Sequence, residues 1–411
     1  MTSTFLTSLD IHKVRHLHDI SVPLSQNERK NLILTGKNGS GKTSVLESIV
    51  AHLKYIVSHD FSSKEKITET ITYLKKQIIA CPNTEEEKQK KAENARQLAY
   101  FEKRLLKWTE GSTANYTSVA DLREKYQKGQ FILAYYSDTR KIEVTQYKNI
   151  EKVELLSTYQ IQDRPSKDLG KYLVNLKSTQ AFAQTAGNNE RAEQIEAWFI
   201  RFEDILRMIY HDDSLKLDFN IETFQFSILI NGREPFSFNT MSMGYAAVFD
   251  IISDLIMRME SQKSYDLEGI VLIDEIETHL HVELQKDIML ILSKLFPNIQ
   301  FILTTHSPFI LNSTPNAVVY DLENETLVKN GMTDLPYEGI IEGYFEADLL
   351  SQELREKFEE YKSLIQSPTL DNSDYARIAE LEYYLDEIPD YLAINFAEEY
   401  TRLKTEFKAR D

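Results

Sequence analysis

NLILTGKNGSGKTSVLESIVAHLKYIV, residues 31–57, decides the fold. It opens on an apolar run short enough for a buried strand, and its end carries apolar residues at helical spacing. Between the two, Gly36–Thr43 fits G-x-x-x-x-G-K-[ST] in full. Glycines at those places let backbone N–H groups curl around an anion. The helix N-terminus adds partial positive charge. Gly36, Lys37, Asn38, Gly39, Ser40, Gly41, Lys42, Thr43 and Ser44 are therefore expected to cradle phosphates. Lys42 should reach the β- and γ-phosphate oxygens, and the Thr43 hydroxyl should bind Mg2+.

A partner for this loop stands far along the chain. IVLIDE, residues 270–275, is four apolar residues followed by two carboxylates. The C-terminal end of a strand is where ligands of open α/β sheets sit. Asp274 is expected to hold the Mg2+ shell, and Glu275 to orient or deprotonate an attacking water. Because neighbouring strand side chains alternate, the two carboxylates are expected to point opposite ways. ILTTHSP, residues 302–308, puts His306 just after another buried strand. A histidine there can contact a γ-phosphate, and it can equally be structural. His279 and His281 in THLHVE are spaced i, i+2 with no third ligand in view, so they read as structural or interface residues and not as a zinc site. Ser242, Met243 and Gly244 precede an apolar helix. That arrangement is an anion site or an ordinary helix cap at Ser242.

Composition narrows the class. The chain has 411 residues, 42% of them hydrophobic, and 64 acids against 47 bases for a net charge of −17. This argues against a broad basic coat for nucleic acid and leaves room for a local groove. The single cysteine, Cys81, excludes an intramolecular disulfide and a cysteine-rich zinc site. No run reaches the roughly 18 apolar residues of a membrane span. The expectation is a soluble, cytoplasmic protein without a membrane segment.

The remaining chain alternates strand and helix patterns. FLTSLDI and DISVPL read as strands. Residues 64–127 are helical and charge-dense, with a turn at Cys81–Thr84, and form an expected helical hairpin. EEEKQKK reads as a solvated helix face. QFILAYY returns to strand, residues 168–211 to helix, and LKLDFN with TFQFSILI to a strand pair followed by an Asn231-Gly232 turn. Uninterrupted apolar strands between helices point to an α/β fold with a parallel sheet covered on both faces. The tail from about Tyr337 is helical and acidic.

The order of phosphate loop, Ser-x-Gly helix, LIDE and TTHS resembles the heads of ABC-type ATPases, in particular the soluble branch with SMC and double-strand-break-repair ATPases. The resemblance covers roughly residues 5–55 and 225–325. It implies an ABC-type P-loop head that is discontinuous, at 1–60 and 216–336. Outside it, the chain's own pattern gives a helical insertion with a short hairpin at 61–215 and a helical C-terminal tail at 337–411, which match the family only loosely. The resemblance implies ATP and Mg2+ as ligands, Glu275 and His306 as catalytic residues, and a homodimer or higher homo-oligomer. In such a dimer Ser242, Met243 and Gly244 act in trans on the nucleotide of the partner, and residues 276–281 cross the interface. Two positions depart from the pattern. Tyr245 replaces the usual polar residue, and no glutamine marks the loop around Asp138 and Arg140.

Within this branch the chain is similar to the PtuA-type ATPases of Septu and retron antiphage systems. The points of similarity are its size, the modest hairpin, ILAYYSDTRKI and the tail after TTHSPFI. That similarity implies an HNH nuclease subunit (PtuB-like) as partner, a retron reverse transcriptase and noncoding RNA as further partners, and nucleic-acid contact through the complex. The alternative is a DNA-repair or end-binding SMC-like ATPase without a dedicated nuclease, for which the 64–127 hairpin is short. A transporter head would carry a shorter lobe than the 200 residues between Lys42 and Ser242. An overcoming-lysogenization-defect nuclease needs a metal-binding domain that the acidic, helical tail does not resemble. Leu349, Leu350, Leu354, Phe358, Ile378, Leu381 and Leu385 form apolar stripes in that tail, suited either to packing on the head or to docking a nuclease subunit.

Overall fold

The phosphate loop leaves the third strand of the chain and enters its first helix in the middle of a six-stranded sheet. The computed structural model describes residues 3–58, 62–80, 85–109, 111–139, 150–340, 352–367, 369–386 and 394–409. Contacts divide the chain into two compact units, Met1–Asp334 and Leu335–Asp411.

In the first unit, β1 (Leu6–Val14), β2 (Leu17–Pro23) and β3 (Asn31–Thr35) lead into α1 (Lys42–Ser58). Then come α2 (Ser62–Ala80), α3 (Glu85–Thr109), β4 (Gly111–Tyr116), α4 (Val119–Gln127) and β5 (Phe131–Tyr136). Next are α5 (Leu169–Thr185), α6 (Asn189–Tyr210), β6 (Lys216–Asn220), β7 (Gln225–Leu229) and α7 (Met243–Glu260). β8 (Glu268–Ile273), α8 (Val282–Leu295), β9 (Ile299–Thr304), α9 (Pro308–Asn312), β10 (Ala317–Asp321) and β11 (Thr326–Val328) complete the unit.

The central sheet runs β11-β10-β3-β9-β8-β5, parallel throughout except for β11. β3, β5, β9 and β10 are buried along their whole length, the pattern of a parallel sheet covered on both faces. β9 lies between β3 and β8, with Leu34 opposite Thr304 and Leu303 opposite Ile273. The C-terminal ends of these three strands therefore meet at one edge, where the two distant motifs can touch.

A second, antiparallel sheet, β2-β1-β4, shares a core with α1 and the central sheet. Leu6, Leu9 and Ile11 from β1 pack with Val45, Ile49 and Leu53 from α1 and with Leu32 and Leu34 from β3. Buried Gln300 ties the sheets together. Its Oε1 accepts from the Leu6 N–H at 2.6 Å, and its Nε2 donates to the Lys30 carbonyl at 2.6 Å.

The span expected as a helical insertion holds α2, α3, α5 and α6, but also β4 and β5, both built into sheets of the first unit. β4 is GSTANY, with no β-branched apolar run to announce it. Its inward residues are Ser112, Ala114 and Tyr116, small or polar apart from the last. Ser112 is satisfied by its backbone N–H donating to Ser48 Oγ on α1 at 2.8 Å. α2 and α3 are joined by a Lys75–Glu102 ion pair at 2.9 Å. The expected turn at Cys81–Thr84 lies outside the described residues. β6 and β7 pair as expected, and the turn at Gly232 returns the chain so that the Ile228 N–H donates to the Phe236 carbonyl at 2.7 Å.

The second unit contains α10 (Tyr337–Gly339), α11 (Gln352–Gln366), α12 (Asn372–Asp386) and α13 (Ile394–Lys408). The last three build their own core, in which Phe358, Tyr361, Ile365, Ile378, Leu381, Leu385, Tyr400 and Leu403 are buried together and Leu354 packs partly against them. The tail's apolar stripe is thus consumed inside the tail, because three short amphipathic helices can cover one another. Leu349 and Leu350 lie outside the described residues. Among the described residues no helix is long and apolar enough to cross a membrane.

Candidate functional site

Gly36 closes the strand end with φ at +133°. A Cβ there would stand 2.8 Å from Ser40 Oγ and 3.2 Å from Asp321 Oδ1, so only glycine fits the turn. The Ser40 N–H donates to the Lys37 carbonyl at 3.1 Å, and the loop then enters α1 at Lys42, with Val45 N–H bonded to the Gly41 carbonyl. Lys37, Asn38 and Gly39 are exposed, and Ser44 is half-buried in the first turn of α1. Lys37 is held by Glu323, through its N–H to Oε2 at 3.1 Å and its ammonium to Oε1 at 3.0 Å.

Lys42 is 5% exposed, and its Nζ donates to the carbonyls of Gly36 at 2.8 Å and Lys37 at 3.0 Å. Burial lowers its pKa, and Glu275, Glu277, Asp274 and Asp321 oppose that by favouring the charge. Asp274 and Glu275 thus act on one ammonium, where alternation along a strand had placed them on opposite faces. The reason is local. β8 ends at Ile273, and Glu275 has φ at +42°, so the chain turns before a second alternation is completed. A left-handed non-glycine residue is a costly conformation that surrounding structure must impose.

Thr304 imposes it. Its hydroxyl donates to Asp274 Oδ1 at 2.6 Å and accepts from the Glu275 N–H at 2.7 Å, while its carbonyl accepts from the Ile276 N–H at 3.2 Å. Asp274 is further fixed by its own N–H, which donates to the Tyr136 carbonyl of β5 at 2.8 Å. Across the sheet edge, the Thr43 hydroxyl donates to Asp274 Oδ1 at 3.2 Å. A threonine hydroxyl beside a carboxylate is a pair of hard oxygen donors. It would suit Mg2+, a hard cation that takes oxygen ligands and does not need an all-protein cage. Among the described residues no group of three or more histidine, cysteine or acidic side chains could hold a metal.

His306 follows β9 beside this cluster. Its backbone N–H donates to Glu277 Oε1 at 2.5 Å. Burial lowers the pKa of its ring and the Lys42 charge acts the same way, against the pull of Glu277 and Glu275. The next residue, Ser307, caps α9 and donates to Gln285 Oε1 on α8 at 2.6 Å.

Ser242, Met243 and Gly244 stand apart from this group. No hydrogen bond joins them to residues 36–44 among the described residues. Ser242 is the N-cap residue of α7 but makes no side-chain cap bond, and Met243 is 70% exposed. Gly244 is buried where a Cβ would lie 2.9 Å from the His279 carbonyl oxygen. That close approach locks the start of α7 to the 276–281 segment, and Tyr245 stacks on Tyr210 of α6 at 4.1 Å between ring centroids. Asp138 is exposed just after β5, and Arg140 lies outside the described residues.

A buried network on α7 is a feature the motifs do not announce. Arg258 Nε donates to Asp254 Oδ2 at 2.7 Å, and its Nη1 and Nη2 reach the carbonyls of Leu133 and Asp163. Tyr136 Oη donates to Asp254 Oδ2 at 2.8 Å, and Ser166 Oγ donates to Asp250 Oδ1 at 3.0 Å. The signal is in the sequence. Asp250, Asp254 and Arg258 recur every four residues on an otherwise apolar helix, so one charged stripe must be buried and paired.

Residues 82–312 match the family described as AAA domain, putative AbiEii toxin, Type IV TA system. The chain belongs to this AAA-domain family. The AAA-domain chain is also 24% identical over 393 residues to the Septu protein PtuA of Bacillus mycoides (strain KBAB4), covering 92% of this chain and 50% of that one. It is 34% identical over 131 residues to the Retron Vc95 probable ATPase of Vibrio cholerae serotype O1 biovar El Tor, covering 31% of this chain and 25% of the relative. The chain thus spans half the length of the first relative and less of the second. The expected resemblance to Septu and retron ATPases is borne out by these two. Among solved structures, an SMC head bound to the C-winged helix domain of ScpA covers 80% of this AAA-domain chain and 99% of its own, at 10% identity and a TM-score of 0.40.

Proposed function

We propose that this chain is an ATP-binding and ATP-hydrolysing head that gates an associated HNH nuclease in bacterial antiphage defence. The observation that carries the ATPase part is the contact of Thr43 with Asp274, two residues 231 positions apart that the motifs assign to one Mg2+. The names of the Septu and retron relatives support the defence setting. The nuclease partner rests on the resemblance to PtuA-type ATPases.

In this reading the loop N–H groups and Lys42 bind the phosphates, and Thr43 and Asp274 hold Mg2+. Magnesium, when bound, draws off charge from the β- and γ-phosphate oxygens. Glu275 takes a proton from the attacking water, and Thr304 fixes the backbone that carries that carboxylate. A cavity of about 590 Å³ adjoins the loop, lined by His16, Leu17 and His18 after β1 and by Leu322 and Glu323 after β10, and takes the nucleoside. Ser242 at the N-terminus of α7 serves the nucleotide of a second copy. The exposed Met243, with Val282 at 45% exposure at the start of α8, gives that copy apolar surface to cover.

The test is a mixed dimer. One protomer carries Lys42→Ala and its partner carries Ser242→Arg, chosen because Ser242 is exposed and the change does not disturb packing. Recovery of part of the ATPase activity on mixing supports shared sites. Mixed dimers that form and stay inactive contradict them.

A further inference from the structure

Glu277 Oε2 and His306 Nε2, beside the phosphate loop, are shielded polar atoms with no hydrogen-bond partner among the described residues. Leaving a carboxylate oxygen shielded and unpaired is expensive, so such atoms mark either strain or a place kept for a ligand. Here both belong to residues joined to each other. Glu277 Oε1 accepts from the His306 N–H at 2.5 Å. Both also sit within the electrostatic reach of Lys42.

Glu277 is held in place by its own turn. The Thr278 N–H donates to the Glu275 carbonyl at 2.9 Å, and the Leu280 N–H donates to the Glu277 carbonyl at 2.8 Å. The Ile276 N–H is tied to the Thr304 carbonyl at 3.2 Å. One carboxylate oxygen is therefore spent on fixing the backbone at His306, and the other is presented, unpaired, from a rigid turn. An anion kept there without a donor suits a site where a donor arrives with the substrate.

We infer that Glu277 is a second working carboxylate of the hydrolytic site. Through Oε1 it positions His306, and through Oε2 it accepts a hydrogen bond from the attacking water. This rests on the ATPase reading above. In the step itself the water oxygen bonds to the γ-phosphorus, the bond from that phosphorus to the β–γ bridging oxygen breaks, and ADP leaves with the electron pair. The water proton goes to Glu275. Glu277 gains no proton, and its part is to aim the second O–H.

The test is Glu277→Gln with Glu277→Ala beside it. Glutamine keeps an oxygen to accept from the His306 N–H but turns the free acceptor into a donor. Two measurements are made on each protein: ATP affinity by calorimetry, and turnover together with vanadate-dependent trapping of ADP. The expected result for Glu277→Gln is an ATP Kd within about threefold of wild type, with turnover lower by on the order of 100-fold and weaker vanadate trapping. Glu277→Ala should lose turnover at least as severely. A Glu277→Gln protein that turns over and traps ADP like wild type confines the carboxylate to holding His306 and overturns the inference alone. A wild-type protein that neither hydrolyses ATP nor traps ADP overturns the ATPase reading and this inference with it.

Discussion

The hydroxyl of Thr304 donates to Asp274 Oδ1 at 2.6 Å and accepts from the Glu275 backbone N–H at 2.7 Å, so one side chain of β9 fixes the Asp274 carboxylate and the Glu275 backbone at the end of β8. Thr304→Val keeps the shape and removes both of these hydrogen bonds. It is expected to lower unfolding free energy by about 1–3 kcal/mol. Thr304→Ser should recover most of that, because it restores the hydroxyl. Denaturant midpoints of the three proteins check it, and an unchanged midpoint for valine would remove Thr304 from its role as clamp.

At Gly244 the backbone of α7 closely approaches the backbone of the 276–281 segment. Gly244→Ala puts a Cβ 2.9 Å from the His279 carbonyl oxygen, which must move. Overpacking of this kind costs about 1–3 kcal/mol. The displaced turn also carries Glu275 and Glu277, so turnover should fall more than nucleotide affinity. Equal stability and turnover in the alanine variant would show that the turn has room to spare.

His306 gives the site a pH dependence with a definite sign. Its folded pKa lies below its ordinary value through burial first and the Lys42 charge second, with Glu277 and Glu275 opposing. The unfolded chain therefore binds the proton more readily. The contribution to stability is fully present above an unfolded pKa of about 6.5 and is lost as pH falls through the folded value. Stability of wild type should fall more steeply below about pH 6.5 than that of His306→Gln. Parallel pH profiles for the two proteins would show that His306 titrates alike in both states.

The tail folds on its own core, so its damage should stay local. Leu381 is 1% exposed among Tyr361, Ile378 and Leu385. Leu381→Ala should destabilise the three-helix unit by about 2–5 kcal/mol and leave ATP affinity unchanged. Helical content by circular dichroism and nucleotide titration on the same sample check both halves. A matching loss of ATP affinity would show that the tail supports the phosphate site.

Much of this fold is legible in the sequence. The strand, loop and helix of residues 31–57 were readable because the phosphate-loop pattern constrains each residue. β8 and β9 were readable because buried parallel strands are continuous apolar runs. β10, AVVYD, carries the same signal between Asn316 and Glu323. β4 was hidden because its inward face is serine, alanine and one tyrosine. Thr304 and Glu277 were hidden for another reason. A hydroxyl or a carboxylate near a motif has many roles, and only the positive φ at Glu275 and the unpaired Glu277 oxygen separate them. The tail stripe was visible as an apolar face, but periodicity does not name what covers a face, and here the tail covers itself.

Titration of ATP with Mg2+ into the full chain and into Lys42→Ala, followed by calorimetry, tests the central claim most directly. The account predicts saturable binding by the wild type and at least about tenfold weaker binding by the alanine variant, since the ammonium over the β- and γ-phosphates is gone. Equal affinity in the two proteins, or no binding by the wild type, would contradict it.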